Sequence, residues 1–314
     1  MGLTIGVDVG GTKVAAGVVD PAGRIVEKLK RVTPAARADT AVEVIAGVVN
    51  ELQARHDVDA VGIGTAGFVD QARSTVLFAP NLAWRDEPVK KRVEARIGRP
   101  VVVENDANAA AWAEVRRGAA RGQQHVVMIT VGTGIGAGIV IDGHLYRGRF
   151  GSAGEPGHYR VVPDGRLCGC GNRGCWEQYA SGNALVAEAR DFARREPEAA
   201  ARLLEIGGGS PDGIDGPAVT RAAREGDMVA IRCFEIIGNW LGAGLADLAA
   251  ILDPGCFVIG GGVSEAGDLL LKPARAAYEN GLTGRSHRKL ADVRLAELGP
   301  DAGLIGAADL ARLG

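Results

Sequence analysis

Leu3-Thr4-Ile5-Gly6-Val7-Asp8-Val9-Gly10-Gly11-Thr12-Lys13 is a short apolar strand with an acid at its end, followed by two glycines, a hydroxyl and an amine. Working outward, Lys13–Val19 and Arg24–Val32 read as two more strands, separated by the turn Asp20-Pro21-Ala22-Gly23. From Thr40 to Arg55 the apolar residues Val44, Ile45, Val48, Val49 and Leu52 fall at helical spacing. Val58–Ile63 is again a strand, Glu87–Ile97 a helix, Val101–Val103 a strand behind Pro100, and Ala107–Val115 a helix. The same grammar then restarts. Val126–Val131 and Ile139–Ile141 read as a hairpin around the glycine-rich turn Gly132–Gly138. Met228–Leu252 is a long helix with Ile231, Phe234, Ile237, Leu241, Leu245, Leu248 and Leu252 on one side. Phe257–Ile259 is a strand running into Gly260-Gly261-Gly262, and Gly303–Leu313 is a closing helix. Strands alternating with helices give an α/β architecture. Both halves begin with a strand pair bent around glycines, which points to an internal duplication.

The chain has 314 residues, about two domains' worth at roughly 150 residues each. Hydrophobic residues are 46% and charged residues 24%, which excludes global disorder. The 36 basic and 38 acidic residues leave a net charge of -2, giving no support to a nucleic-acid or anionic-membrane partner. The N-terminal stretch lacks a basic region ahead of a long apolar run, so no export signal is expected. The best candidate span, Ile236–Leu252, is broken by Asn239, Asp247 and glycines, and no membrane span is expected. Three of the five cysteines fall between Cys168 and Cys175, which argues for a metal in a reducing cytoplasm rather than a disulfide framework.

Asp8 to Lys13 suits a phosphate. Glycines let backbone N–H groups approach it, Thr12 and Lys13 add donors and a charge, and Asp8 is suited to hold Mg²⁺ through water. A plain hairpin turn explains the same residues. It is not a Walker A loop. Gly132–Gly138 and Gly260–Gly262 are two further glycine turns after strands, and three together favour a nucleotide. Gly62-Ile63-Gly64-Thr65-Ala66-Gly67 matches G-x-G-x-x-G, but the following Phe68–Thr75 is not helical, so the dinucleotide reading fails its context. At the end of strand Val101–Val103 stand Glu104, Asn105 and Asp106. An Asp there can accept a hydroxyl proton while Asn105 bonds a neighbouring hydroxyl. Equally, Asp106 can N-cap the helix that follows.

His158, Cys168, Cys170 and Cys175 are four ligands of the right type for tetrahedral Zn²⁺, joined by Gly, Pro, Asn and Arg as in a loop wrapped around an ion. Such a closed set is structural. Cys233 and Cys256 read as core residues. Zinc on one ring nitrogen of His158 would orient the other, which with Glu155 and Glu177 could meet a polyhydroxylated ligand. The competing reading of Glu177 is a solvated acid at a helix start.

Asp8–Lys13, Glu104-Asn105-Asp106-Ala107-Asn108-Ala109, Gly132–Gly136, Glu155-Pro156-Gly157-His158, Cys168–Glu177, Ser181–Leu185, Ile259–Gly262 and Gly303–Ala308 run in this order over nearly the whole chain. Together they resemble the ROK family (repressor, open reading frame, kinase) of sugar kinases, and within it the bacterial glucokinases. The cysteine segment is highly specific; the glycine turns are not. The resemblance implies a two-domain actin-like ATPase fold, a duplicated ribonuclease H-like unit with a cleft between the domains. It implies a small N-terminal domain of residues 1–110, joined by the C-terminal helix at 302–314, and a large domain of 111–301 carrying the zinc loop. By the same resemblance Asp106 is the catalytic base, and Gly67, Asn81, Asn105, Asp106, Glu155, His158 and Glu177 contact the sugar. Asp8, Gly10, Gly11, Thr12, Lys13, Thr133, Gly134, Gly261 and Gly262 hold the nucleotide, and His158, Cys168, Cys170 and Cys175 the structural zinc. ATP with Mg²⁺ is the expected donor, glucose the expected acceptor, and a homodimer or dimer of dimers the expected assembly, in the cytoplasm. One departure is Pro156, which fixes φ and removes a donor where the family often has a bulkier residue.

A sugar-sensing repressor of the family would carry a helix-turn-helix ahead of the kinase-like body, and the chain begins directly on the Leu3–Asp8 strand. Fructokinase, N-acetylhexosamine kinase and a polyphosphate-using glucokinase are the enzymatic alternatives. Polyphosphate would call for a basic track. Arg85, Lys90, Lys91, Arg92 and Arg96 form a basic stretch that a solvated helix face explains as simply.

Overall fold

In the computed structural model, residues 2–33 and 38–313 are described. Met1 and Gly314, the outer limits of the two expected domains, lie outside the described residues. In chain order the elements begin with β1 (Leu3–Val9), β2 (Lys13–Val19), β3 (Ile25–Val32), α1 (Ala38–Gln53) and β4 (Val58–Thr65). Next come β5 (Phe68–Val69), β6 (Val76–Phe78), β7 (Arg85–Glu87), α2 (Val89–Ile97), β8 (Val101–Asn105) and α3 (Asp106–Arg117). They continue with β9 (Val126–Val131), β10 (Ile135–Ile141), β11 (His144–Leu145), α4 (Glu177–Ala180), α5 (Gly182–Arg195) and α6 (Ala201–Ile206). The last are α7 (Gly216–Arg224), α8 (Met228–Leu252), β12 (Cys256–Gly260), α9 (Asp268–Gly281), β13 (Asp292–Leu295) and α10 (Ala302–Leu313).

Two five-stranded sheets repeat one order, β3-β2-β1-β4-β8 and β11-β10-β9-β12-β13. In the first, β1, β2 and β3 pair antiparallel and β1, β4 and β8 parallel. In the second, β10 and β11 pair antiparallel and β12 and β13 parallel. The expected duplication is therefore present at the level of strand order. The small sheet β5-β6-β7 is an addition that the sequence reading missed, because its strands are only two or three residues long.

The chain forms two compact units. One comprises residues 1–128, 137–154 and 296–314, the other 129–136 and 155–295. The first unit thus continues past residue 110, and it includes α3, which packs along α10. Its core is the continuous apolar set from Ile5, Val7 and Val9 through Ile45, Val49, Leu52, Ile63 and Trp84 to Val101 and Val103. The second unit is built around α8, which lies on α9. Close approach is possible there because Gly242 on α8 faces the carbonyl of Ala274 on α9. α8 is long and apolar enough to cross a membrane by length and composition, and half of its apolar window is buried inside the protein.

Glycine sets the geometry of the first unit. A Cβ on Gly6 of β1 would come 1.9 Å from the carbonyl oxygen of Leu304, and one on Gly62 of β4 would come 1.8 Å from that of Ala307. Gly306 stands in the same relation, 1.8 Å, to the carbonyl of Ala109 on α3. α10 therefore touches two strands and a helix at backbone distance. The G-x-G-x-x-G match at Gly62–Gly67 is explained by this packing, since Gly62 and Gly64 lie inside β4. Similarly, the turn expected over Gly132–Gly138 ends early, and β10 begins at Ile135. Gly138 sits in that strand because a Cβ would meet Ala111 of α3 at 2.4 Å.

Gly62→Ala should lower the unfolding free energy by about 1–3 kcal/mol or more, because backbone cannot yield as a side chain does. Gly47→Ala in α1, where nothing lies within 4 Å, should be neutral or stabilising by up to about 1 kcal/mol. Urea denaturation of both variants checks this, and equal effects would contradict it.

Candidate active site: strand-end acids, a glycine-lined cavity and a cysteine–histidine loop

The parallel strands β1, β4 and β8 bring their carboxyl ends into register, Asp8 beside Gly64 and Gly64 beside Glu104. In α/β sheets that edge is where ligands bind. Asp8 sits at one strand end and Asp106 begins the helix after another. The two readings of Asp106 are separated by the cap geometry. The N-cap of α3 is Asn105, with extended backbone and a side chain that accepts from the Asn108 N–H at 3.0 Å. The expectation that Asp106 caps the helix is corrected: Asp106 is the first helical residue, and its Oδ1 accepts its neighbour Ala107's N–H at 2.9 Å.

Burial raises the Asp106 carboxyl above the ordinary carboxylate range. Asp8 is pushed up to about 6, by burial first and then by the charge of Asp106, against the opposing pull of Lys13 and Lys28. These two acids share one electrostatic environment, which an arriving cation or a proton would relieve.

Around them the first unit gathers the other residues expected there. The Asn105 amide donates to the Gly67 carbonyl at 3.2 Å. Gly67 itself stands at φ +148, with its Cα so close to Phe78 that a Cβ would lie 2.3 Å from that carbonyl. Asn81 covers the β1–β2 turn, where a Cβ on Gly11 would lie 2.9 Å from Asn81 Cβ. That turn is closed by the Gly10 N–H donating to the Lys13 carbonyl at 3.0 Å, and tethered by Thr33, whose hydroxyl donates to the Gly10 carbonyl at 2.8 Å. Thr12 and Lys13 remain exposed.

In the second unit, a cavity of about 900 Å³ is lined by Gly132, Thr133, Gly182, Asn183, Arg221 and Gly262, among others. Two backbone bonds hold its floor, from the Gly182 N–H to the Gly132 carbonyl at 2.8 Å and from the Asn183 N–H to the Thr133 carbonyl at 3.2 Å. The 14-residue α5 begins at this point with Ser181 as its cap, so the positive end of its dipole faces the cavity. Thr133 and Gly262 were anticipated. Asn183 lay in the family-like element Ser181–Leu185 without being assigned a role, and Arg221 was not anticipated, because α7 gives no chemical signature in sequence.

His158, Cys168, Cys170 and Cys175 converge, with one ligand atom from each within 4.8 Å of all the others. Cys168 Sγ lies 3.6 Å from His158 Nδ1, and Cys170 Sγ lies 3.6 Å from Cys175 Sγ. All five cysteines are free thiols, with Cys233 and Cys256 buried as expected. Burial raises the Cys168 and Cys175 thiols. Burial also works against Cys170, but the Asn172 N–H and the neighbouring thiols outweigh it and hold it below the ordinary thiol value. Three thiol sulfurs and an imidazole nitrogen at this spacing are compatible with a structural zinc ion.

Glu177 is the residue whose plain reading changes most. It is half-buried rather than solvated. Its Oε1 accepts from the Cys168 thiol at 3.0 Å, and its Oε2 lies 2.4 Å from where a Gly134 Cβ would be. Oε2 also accepts from the Ile135 N–H at 3.4 Å. Glu177 thus joins the cysteine loop to the Gly132–Gly134 turn. Glu155 precedes the short turn Pro156–His158, where Pro156 takes the first position and its fixed φ is accommodated. The basic stretch from Arg85 to Arg96 is largely engaged: Arg92 pairs with Asp39 and Glu87, Arg96 with Glu43, and Arg85 lies 4.1 Å over the Phe78 ring.

Residues 4–313 match the model of the ROK family. A glucokinase of Streptomyces coelicolor is 55% identical over 312 residues, spanning 99% of this chain and 98% of that protein. The crystal structure of a ROK family glucokinase from Streptomyces griseus, in complex with glucose and AMPPNP, shares 58% identity at a TM-score of 0.92, over 100% of both chains. A ROK hexokinase from Thermus thermophilus shares 36% identity at a TM-score of 0.79, over 99% of this chain and 98% of that one. The α/β strand order and these likenesses give the chain the two-domain actin-like ATPase fold.

Two outcomes follow from the site. In Mg²⁺-free protein the Asp8 carboxyl has a higher pKa folded, about 6, than unfolded, so its contribution to stability falls as pH rises from about 4 to 6 and stays lost above. Asp8→Asn should therefore gain more stability over wild type at pH 7 than at pH 4.5; an equal difference in urea unfolding would contradict this. Chelation, or Cys168→Ser, should raise amide exchange across residues 158–177. Unchanged exchange in demonstrably metal-free protein would count against a structural metal there.

Proposed function

The chain belongs to the ROK family, and from that premise we propose that it is an ATP-dependent glucokinase, a phosphotransferase that makes glucose 6-phosphate. The observation that carries the mechanism is the Asn105 cap, which takes the Asn108 N–H and leaves the Asp106 carboxyl, just past the strand end, with contacts to its own local backbone. In this reading Asp106 accepts the proton of the glucose 6-hydroxyl as the oxygen attacks the γ-phosphorus in line and ADP leaves. A carboxyl held above the ordinary range by burial is a stronger base once ionised. Gly67, Asn81, Asn105, Glu155, His158 and Glu177 are assigned to the sugar. Asn105 keeps one amide hydrogen and one oxygen lone pair beyond those spent on Gly67 and Asn108.

The nucleotide is assigned to the cavity lined by Thr133 and Gly262, with Gly134 and Gly261 beside them in sequence, and to the turn of Gly10 to Lys13. Backbone N–H groups at a glycine turn and a helix N-terminus suit phosphate oxygens. Mg²⁺, held through water by Asp8, would neutralise phosphate charge. The structural zinc is assigned to His158, Cys168, Cys170 and Cys175. With Nδ1 facing the thiols, Nε2 of His158 is left for a sugar hydroxyl. Catalysis of this kind is mostly positioning and electrostatics.

The same proposal places the base in a functional domain of residues 1–110 with 302–314, and the zinc loop in 111–301. It takes the enzyme as a cytoplasmic homodimer or dimer of dimers.

A coupled assay of MgATP with glucose, fructose, mannose, N-acetylglucosamine and N-acetylmannosamine tests the reading. Glucose should exceed the others in kcat/KM by at least about tenfold. A preference for another sugar would overturn the substrate, and turnover with polyphosphate but not ATP would overturn the donor.

A further inference from the structure

Glu104, the penultimate residue of β8, is 1% exposed, yet it carries a carboxylate. Four nitrogen atoms converge on it. Oε1 accepts from the Asn105 N–H at 2.9 Å, the Asn108 amide at 3.1 Å and Arg147 Nε at 3.2 Å, while Oε2 is held by charge alone, with Arg147 Nε at 2.9 Å and Arg73 Nε at 3.0 Å outside hydrogen-bond geometry. A buried carboxylate bound in this way holds the backbone just before Asp106, at the Asn105 N–H, and the Asn108 side chain just after it.

Arg147 is itself 6% exposed, and the rest of its guanidinium is spent on a second segment. Nη1 donates to the Gln71 carbonyl at 3.1 Å, and Nη2 to the Asp70 carbonyl at 2.8 Å. Residues 70–75 are braced from within, because Asp70 accepts from the Ser74 and Thr75 N–H groups at 2.8 and 3.0 Å. Gly151 seals the same place from the other end of its loop, where a Cβ would lie 2.6 Å from the Val69 carbonyl. The segment so held begins just after Gly67, whose carbonyl takes the Asn105 amide.

We propose that the buried Arg147–Glu104 pair is a positioning device for Asn105 and Asp106, with one guanidinium locking the strand end that carries the base to the loop that orients Asn105. The inference rests on the reading of Asp106 as base. Neither residue touches the reacting atoms. Their effect is on where Asn105 and Asp106 stand, and a misplacement of about 1 Å is enough to lower a rate about 100-fold. A planar fork that bridges a carboxylate and two carbonyls is beyond the reach of a lysine.

The test compares wild type, Arg147→Met, Arg147→Lys and the double variant Glu104→Gln/Arg147→Met in melting temperature and in kcat and KM for glucose and for MgATP. In the single Met variant the buried Glu104 loses its main counter-charge, so melting temperature falls; the double variant removes both charges and recovers it. If the pair positions the base, kcat/KM for glucose falls by about 100-fold in the folded double variant and in Arg147→Lys, with KM for MgATP unchanged. Arg147→Lys keeps the charge and carries the test if the Met variants do not fold. Wild-type kcat/KM for glucose in either folded variant, or a parallel rise in KM for MgATP, overturns the inference while leaving the kinase reading intact. Absence of glucose-dependent turnover in the wild type itself overturns that reading, and the inference with it.

Discussion

Backbone-to-backbone packing of α10 is the constraint from which the first unit follows. At Gly6, Gly62 and Gly306 the gap is so small that a single methyl group would overlap a carbonyl oxygen. Three glycines on three elements hold β1, β4 and α3 against one helix, and thereby fix where the strands end. α10 also begins beside the acids, since a Cβ on Gly303 would lie 3.9 Å from Asp8 Oδ1 and 3.8 Å from the Asp106 carbonyl. Interiors are dense enough that such contacts allow one arrangement rather than a range. The register of Asp8, Gly64 and Glu104 is the direct result.

Upon this frame the chemistry is separated by division of tasks among neighbours. Glu104 faces inward and is neutralised by Arg147 and Arg73. Asn105 caps α3 and holds Gly67. Asp106 is left with a raised carboxyl at the start of the helix. Three consecutive polar residues thus take three different roles, each set by where the strand ends. In the second unit Glu177 performs the analogous joining task, linking the cysteine loop to the glycine turn at the cavity.

Much of this was legible in the sequence, for stated reasons. Short apolar runs located β1 and β8, which are buried on both faces, and period-3.6 apolar patterns located α1 and α8, which bury one side. The cysteine–histidine spacing located the loop, because few other constraints put three thiols in eight residues. Glycine was the source of error. Gly138 was read as part of a turn and sits within β10, because α3 passes too close for a side chain, while the strand expected to stop at Ile63 runs on through Gly64 to Thr65. Arg147 and Arg221 were missed since a place set by the tertiary fold leaves no trace in local pattern. The cap at Asn105 instead of Asp106 is a shift of one residue, which is within the ordinary uncertainty of a helix start but changes the chemistry assigned to the acid.

Kinetics and calorimetry on the isosteric variant Asp106→Asn test the central claim most directly. If Asp106 is the base, glucose and nucleotide still bind with dissociation constants near those of the wild type, while kcat falls by about 10²–10⁴-fold. Turnover near the wild-type rate with both ligands bound would contradict the account.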